Sequence, residues 1–348
     1  MADPGSSRVL VTGGAGFIGR RVVRALIQGG ADVTVADKQP FPGGVVDGGV
    51  RTVLGDLRDP DIAAQALGRR IDAVVHLAAL TSVLRSVKDP AGTYEVNVAV
   101  TARLLELARE NEAGTFLFAS TNAVAGDVGH NVITEQTPLR PMTPYGATKA
   151  AAEMLLSCYA AAYGINACSL RFSNVYGPGM AAKDSFVPRL MRAARSGTGV
   201  DVYGDGAQLR DLIHVDDVVQ GLLTAWRAGH KGPLIVASGH SDTVNDLVAA
   251  ARRVTGAQIP VRHVPPKPGE MPAVLVDISA ARALGYRPAH NLESGLATVW
   301  PEFAASADEP AQAPGAAAGA AGAGGAVRPA RNGDGTPAGQ TSGAEAAK

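Results

Sequence analysis

Arg8-Val9-Leu10-Val11-Thr12-Gly13-Gly14-Ala15-Gly16-Phe17-Ile18-Gly19 carries the reading that decides the fold. Arg8–Thr12 is a short apolar run with the length of a buried strand. Three glycines follow at intervals of three, and then an apolar-periodic helix through Val22, Val23, Leu26 and Ile27. Strand, glycine turn and helix form the dinucleotide-binding arrangement. Gly13 permits the tight turn, Gly16 lets the backbone approach a pyrophosphate, and Gly19 lets the helix lie close on the strand. Phe17 and Ile18 complete the turn. The spacing is G-x-x-G-x-x-G, which alone also describes an ordinary turn. Two carboxylates narrow the choice. A second strand, 32–36, ends at Asp37, where a carboxylate accepts hydrogen bonds from ribose hydroxyls and repels a 2′-phosphate. That favours NAD over NADP. A third strand closes at Val53-Leu54-Gly55-Asp56-Leu57 and places Asp56 to meet an adenine.

Working outward, strands and helices alternate to about residue 170, over 73–76, 97–110, 115–120, 143–163 and 166–171. Such alternation predicts an α/β protein with a Rossmann-type, doubly wound parallel sheet, its site at the carboxyl ends of the strands. Beyond 175 the pattern is broken by Pro178, Pro188, Gly197, Gly199, Gly204 and Gly206. The expected organisation is a dinucleotide-binding domain over 1–175 and a smaller, mixed α/β substrate-binding lobe over 176–303. One strand near 232–237 is expected to return to the main sheet. Residues 304–348 are mostly Ala, Gly and Pro with scattered polar residues, a composition that cannot bury enough surface to order itself. A disordered tail is expected there.

Tyr145-Gly146-Ala147-Thr148-Lys149 supplies the chemistry. A tyrosine and a lysine four apart on a helix share one face. A phenol titrates near ~10, and an ammonium beside it favours the phenolate, so the pair can make a base that works around neutrality. By itself the spacing also fits a solvated helix face. Thr121, directly after a strand end, supplies a hydroxyl within reach of the same point.

The whole set resembles the extended short-chain dehydrogenase/reductase superfamily, in particular the NAD-dependent sugar epimerase/dehydratase family, from about Arg8 to Trp300. The carriers are the turn at 12–19, His76-Leu77-Ala78-Ala79, Asn97, Ser120-Thr121, Tyr145–Lys149, the run 170–179 and Arg210-Asp-Leu-Ile-His-Val-Asp-Asp217. The resemblance implies NAD as cofactor, with Leu77, Ala78 and Ala79 beside it and Asn97 anchoring the active-site backbone. It implies Tyr145 as base, Thr121 as the group orienting the reacting hydroxyl, and Lys149 as holder of the nicotinamide ribose. It implies a nucleoside-diphosphate sugar as substrate, with Asn174 and Arg210 at the diphosphate and Ser185 and Phe186 at the base. A guanidinium suits a diphosphate because it binds as a fork. The other reading of Arg210 is a pair with Asp211 or Asp216. Tyr203 fits a ring stacked on the base, or plain core packing. His76, a lone histidine, reads first as structural.

Departures from the family pattern narrow the reaction. Sugar 4,6-dehydratases of the family carry an Asp-Glu pair where this chain has Asn122 and Ala123, and sugar-acid decarboxylases carry a Glu at the second position. Without those carboxyl groups the remaining chemistry is oxidation at carbon 4, rotation of the keto-sugar and its reduction on the other face, a 4-epimerisation. UDP-glucose, UDP-N-acetylglucosamine and UDP-glucuronate are the expected substrates. Another NAD(P)-dependent nucleotide-sugar reductase or epimerase stays open, as does a non-catalytic NAD-binding regulator. Ala125 replaces the usual Tyr, Lys267 replaces an Arg that often grips phosphate, and Val274 falls near the wall expected to limit bulk at carbon 2.

Charge balances, with 32 Lys and Arg against 32 Asp and Glu, which argues against electrostatic binding to nucleic acid or an anionic membrane. No apolar run of about 18 residues and no basic-plus-apolar leader is present, so a cytoplasmic, soluble protein is expected. Cys158 and Cys168 and the seven His show no metal-ligand spacing, so no metal is expected. The Ala-rich faces of helices 97–110 and 143–163, with Ala147, Ala150, Ala151, Met154 and Leu155, suggest a homodimer through a four-helix bundle.

Overall fold

The structure is a computed structural model describing residues 4–42, 50–68, 70–266 and 271–305. Lys267 and nearly all of the expected tail lie outside the described residues. The first half comprises β1 (Arg8–Thr12), α1 (Phe17–Gln28), β2 (Asp32–Asp37), β3 (Arg51–Leu54), α2 (Pro60–Leu67), β4 (Ala73–His76), α3 (Val83–Lys88), α4 (Pro90–Tyr94), α5 (Val100–Glu110), β5 (Thr115–Thr121), β6 (Val132–Ile133) and α6 (Pro144–Tyr163). Then come β7 (Asn166–Phe172), β8 (Asn174–Tyr176), α7 (Phe186–Ser196), β9 (Val200–Tyr203), β10 (Leu209–His214), α8 (Val215–Arg227) and β11 (Gly232–Val236). The chain continues through β12 (Ser241–Thr243), α9 (Val244–Thr255), β13 (Val261–Val264), β14 (Leu275–Val276), α10 (Ser279–Ala283) and α11 (Leu292–Ala304).

Seven strands form one sheet in the order β11-β7-β5-β4-β1-β2-β3, every pair parallel. The expected return of 232–237 to the sheet is met by β11. Strand β1 shows why the sequence folds this way. Val9 and Val11 enter the core on the face covered by Val22, Val23 and Leu26 of α1. Leu10 enters the opposite core, with Leu104 and Leu105 of α5 and Leu156 of α6. Successive side chains of a strand alternate faces, so an unbroken apolar run suits only a sheet buried on both sides. Each such fully buried Val or Leu contributes about 1.5–3 kcal/mol.

The sequence order reverses at β1, which lies between β4 and β2. Ligands of open α/β sheets sit at that switch point, outside the carboxyl ends of the strands. A third core lies among the later helices, where Leu190 and Met191 of α7, Leu247 and Ala251 of α9, and Leu296 and Val299 of α11 pack together. The mixed sheet β12-β10-β8 and the pair β13-β9 belong to the same later part of the chain. The helix expected from Asn97 begins instead as a π turn over Glu95–Ala99 that runs into α5. The extra residue of such a turn often serves a site. Here the turn carries Asn97, which is buried and fully bonded.

Candidate active site

A cavity of about 900 Å³ opens at the carboxyl ends of β1, β2, β4 and β5 and extends across to residues of β8, α7, β9, β10 and α9. Its floor is the glycine turn. Gly13 has φ +70°, and a Cβ there would stand 2.7 Å from the backbone nitrogen of Ala78. A Cβ on Gly19 would collide with the carbonyl oxygen of Gly13. Both glycines are therefore required by the turn itself. Gly16 caps α1 without a side chain, and no acidic residue occupies the helix's first turn. The positive helix end is left to face the cavity.

At one end of the cavity, Asp37 holds the turn. Its carboxylate accepts from the backbone N–H of Ala15 and of Gln39, each at 3.0 Å. Asp56 accepts from Arg58 at 2.7 Å and from Lys38 at 2.9 Å, and these partners, Arg58 first, hold its carboxyl well below the usual range. Gly16, Phe17, Ile18, Leu57, Leu77, Ala78 and Ala79 line the same space. Glycine cradle, helix end and the carboxylate at the end of β2 fit a dinucleotide.

Asn97 lies behind this wall rather than on it. Its side chain accepts from Leu80 N at 2.8 Å and donates to Leu80 O and to Thr148 Oγ1, each at 3.0 Å. It thus ties the loop after β4 to the first turns of α6, the backbone-anchoring role expected of it, without itself lining the cavity. His76 is structural too. Its Nδ1 meets Thr12 Oγ1 at 2.6 Å and its Nε2 meets Thr101 Oγ1 at 2.9 Å. The Thr101 hydroxyl donates to Asn97 O, so it accepts from Nε2–H, which assigns the ring as the neutral Nε2–H tautomer. Burial pushes its pKa down to about 3.

Helix α6 brings the reactive pair to the wall. Thr143 caps it by accepting from Gly146 N, Pro144 sits in its first turn and Gly164 ends it at φ +74°. Tyr145, Lys149 and Thr121 all line the cavity. Burial pushes Tyr145 up to about 12, with the nearby Thr121 hydroxyl opposing. The expected lowering of the phenol by Lys149 is therefore not met in the protein alone. Lys149 Nζ instead donates to Ala119 O at 2.8 Å and lies 4.4 Å from the centre of the Phe118 ring. Burial pushes it down to about 7, with Glu153 opposing.

Asn174, Ser185, Phe186, Tyr203 and Arg210 line the other side of the cavity. Both carboxylates considered as partners for Arg210 are engaged elsewhere. Asp211 accepts from Ser173, Ser238 and Gly239, and Asp216 pairs with Arg21. Val274 does not form a wall here. It is buried in the core with Ile278 and Ala281 and is not among the residues lining the cavity. Ala125 is likewise buried. Asn122 is 5% exposed, and among the described residues neither of its amide atoms has a hydrogen-bond partner. Lys183, Arg189 and Gln208 also line the cavity, though none falls in a motif. The fold also stacks His214 on His290, ring centres 3.9 Å apart, near Asp216. His214 spends Nδ1 on the Asp216 N–H and Nε2 on Thr298, so it caps α8 rather than waiting for a metal.

The model of the NAD dependent epimerase/dehydratase family matches residues 9–237. The chain belongs to that family. Its cofactor is NAD, and the cradle just described fits it. A dTDP-glucose 4,6-dehydratase of Streptomyces niveus is 32% identical, the match covering 88% of this chain and 98% of the relative. The crystal structure of the Thermus thermophilus UDP-glucose 4-epimerase, solved with NAD, is 34% identical and superposes with a TM-score of 0.79, covering 86% of this chain and 99% of that one. A UDP-N-acetylglucosamine 4-epimerase from Methanobrevibacter ruminantium M1, in complex with UDP-N-acetylmuramic acid, is 30% identical with a TM-score of 0.81, covering 86% and 98%. Relatives of this epimerase/dehydratase are thus enzymes of both kinds. Among its described residues no helix is long and apolar enough to cross a membrane.

Proposed function

We propose that the chain is an NAD-dependent 4-epimerase of a UDP-hexose. The observation that carries this reading is a complete Thr121, Tyr145 and Lys149 set on one cavity wall with an amide and a methyl group, Asn122 and Ala123, next to it. Neither can give or take a proton, so loss of water at carbons 5 and 6 lacks its acid and base.

The cofactor would be held by Gly13, Gly16 to Gly19, Asp37, Asp56, Leu57 and Leu77 to Ala79. When bound and oxidised, NAD supplies a positive charge and takes up, then returns, the hydrogen of carbon 4. Tyr145 removes the proton of the 4-hydroxyl and gives it back. Its burial makes the neutral phenol the resting form, so the proton leaves only when a positive neighbour favours the phenolate. Thr121, on the same cavity wall as the phenol, holds the oxygen in line. Lys149, one turn on, is positioned by Ala119 O. Asn174, Arg210, Tyr203, Ser185 and Phe186 hold the nucleotide, with Lys267 as a further phosphate contact. The choice of uracil as base, and of hexose among glucose, N-acetylglucosamine and glucuronate, rests on resemblance.

Mass spectrometry of the product tests the reaction. A product of unchanged mass that co-elutes with the 4-epimer supports epimerisation, and a product one water lighter identifies a dehydratase. We further infer a homodimer through α5 and α6. Met154 on α6 is 66% exposed, and Leu84 and Val87 of α3 are 72% and 61% exposed, whereas Ala150 is buried. Sedimentation decides the stoichiometry.

A further inference from the structure

One cation in the cavity has no task in the scheme above. Lys183 lies in the segment between β8 and α7, and its Nζ sits 4.5 Å from the centre of the Phe17 ring. Phe17 is the first residue of α1, and its ring packs against the core of the second lobe. The lysine and the glycine turn therefore face one another across the lobe boundary.

The segment is held firmly. Arg20 of α1 donates to Gly179 O. Arg192 of α7 donates to Ala181 O at 2.9 Å and to Lys183 O. Glu302 of α11 accepts from Gly179 N at 2.7 Å and from Ala181 N at 3.3 Å. Three elements thus fix the backbone that carries Lys183. Its ammonium, by contrast, has no carboxylate within ion-pair distance among the described residues. The adjacent Asp184 is taken by Arg189 at 2.6 Å. Lys183 is exposed at the cavity, so its ammonium, with only a ring for company, is open to an anion.

We propose that Lys183 is the second lobe's contact to a diphosphate bound at the N-terminus of α1, so that the cofactor is gripped from both lobes. A diphosphate is the anion this cavity is shaped to take, and the ring partner of Lys183 belongs to the cofactor turn. The substrate would bring a second diphosphate of the same chemistry, and Phe17 favours the cofactor's. A grip from both lobes suits an enzyme that must retain its dinucleotide through a complete oxidation and reduction. The inference rests on the cofactor and not on the reaction proposed above, so either can fail alone.

Calorimetry on the full chain freed of NAD tests it, comparing wild type, Lys183→Met and Lys183→Arg with NAD, adenosine and UDP as probes. The Met variant should bind NAD about tenfold more weakly, with a shallower dependence on salt, and the Arg variant should recover most of the loss. Adenosine, which has no phosphate, and UDP should bind all three alike. Unchanged NAD binding would overturn the proposal. So would a loss confined to UDP, which would give the lysine to the substrate's diphosphate. Thermal unfolding of each variant shows that it folds, and the Arg variant keeps the test decisive if Met does not.

Discussion

Ser120 Oγ lies 2.5 Å from Oε1 of Glu153, a carboxylate that also receives Arg171 Nη2 at 2.7 Å. Ser120 precedes Thr121, and Glu153 stands one turn beyond Lys149 on α6. The bond therefore fixes the end of β5 against the helix bearing the reactive pair. Arg171 and Glu153 are both buried, their side chains 4% and 7% exposed. Removing one partner strands the other charge. Glu153→Ala should destabilise the protein by about 3–5 kcal/mol, while replacing both residues by Met should restore most of the loss. Urea denaturation of the two singles and the double measures this, and additive losses would show that the pair is not coupled.

Acid should unfold the protein through its buried histidines. His76 is pushed from 6.5 to about 3 and His214 to about 4. Between those values and pH 6.5 the unfolded chain binds protons that the folded one refuses, so stability falls as pH drops through that window and is insensitive to these groups above it. His76→Gln should flatten the fall between pH 6.5 and 4. Thermal unfolding across that range checks the sign, and an unchanged slope would remove His76 from the account.

Cofactor choice should follow Asp37. Asp37→Ala removes the carboxylate proposed to face the ribose and the acceptor for Ala15 N, so NAD should bind about tenfold more weakly and discrimination against NADP should relax. Fluorescence titration with both dinucleotides reads this. An unaltered ratio of affinities would take Asp37 out of the site.

Turnover should separate from cofactor binding at Tyr145. Tyr145→Phe should lower kcat by at least about 10²-fold and leave NAD bound, because only the proton-transferring oxygen is lost. Because burial raises the phenol, the wild-type rate should climb with pH through neutrality as the phenolate fraction grows. A rate independent of pH from 6 to 9, or loss of NAD from the variant, would contradict the role of Tyr145 as base.

Much of this was legible in the sequence because it is local. The run Val9-Leu10-Val11, the glycines at 13 and 19, and the spacing of Tyr145 and Lys149 each fix geometry within a few residues, and the structure places them as expected. What the sequence concealed depends on burial or on distant partners. The Tyr/Lys spacing predicts a depressed phenol, but the depth of the site reverses the direction. Asp211 meets Ser173, Ser238 and Gly239, and His214 meets His290, only once the fold is closed. Val274, just before the two-residue β14, lies in the core, and its neighbours in sequence do not say so. Lys183 belongs to no motif, and only its position over Phe17 marks it.

The most direct test of the account follows the hydrogen on carbon 4. UDP-glucose, UDP-N-acetylglucosamine and UDP-glucuronate, each deuterated at carbon 4, are incubated in turn with the purified protein and no added NADH, and the products are read by NMR. The account predicts that one of them yields its 4-epimer with the deuterium still on carbon 4, because the hydrogen leaves and returns within one cavity. Loss of the label to solvent, or no epimer from any of the three while NAD stays bound, would contradict it.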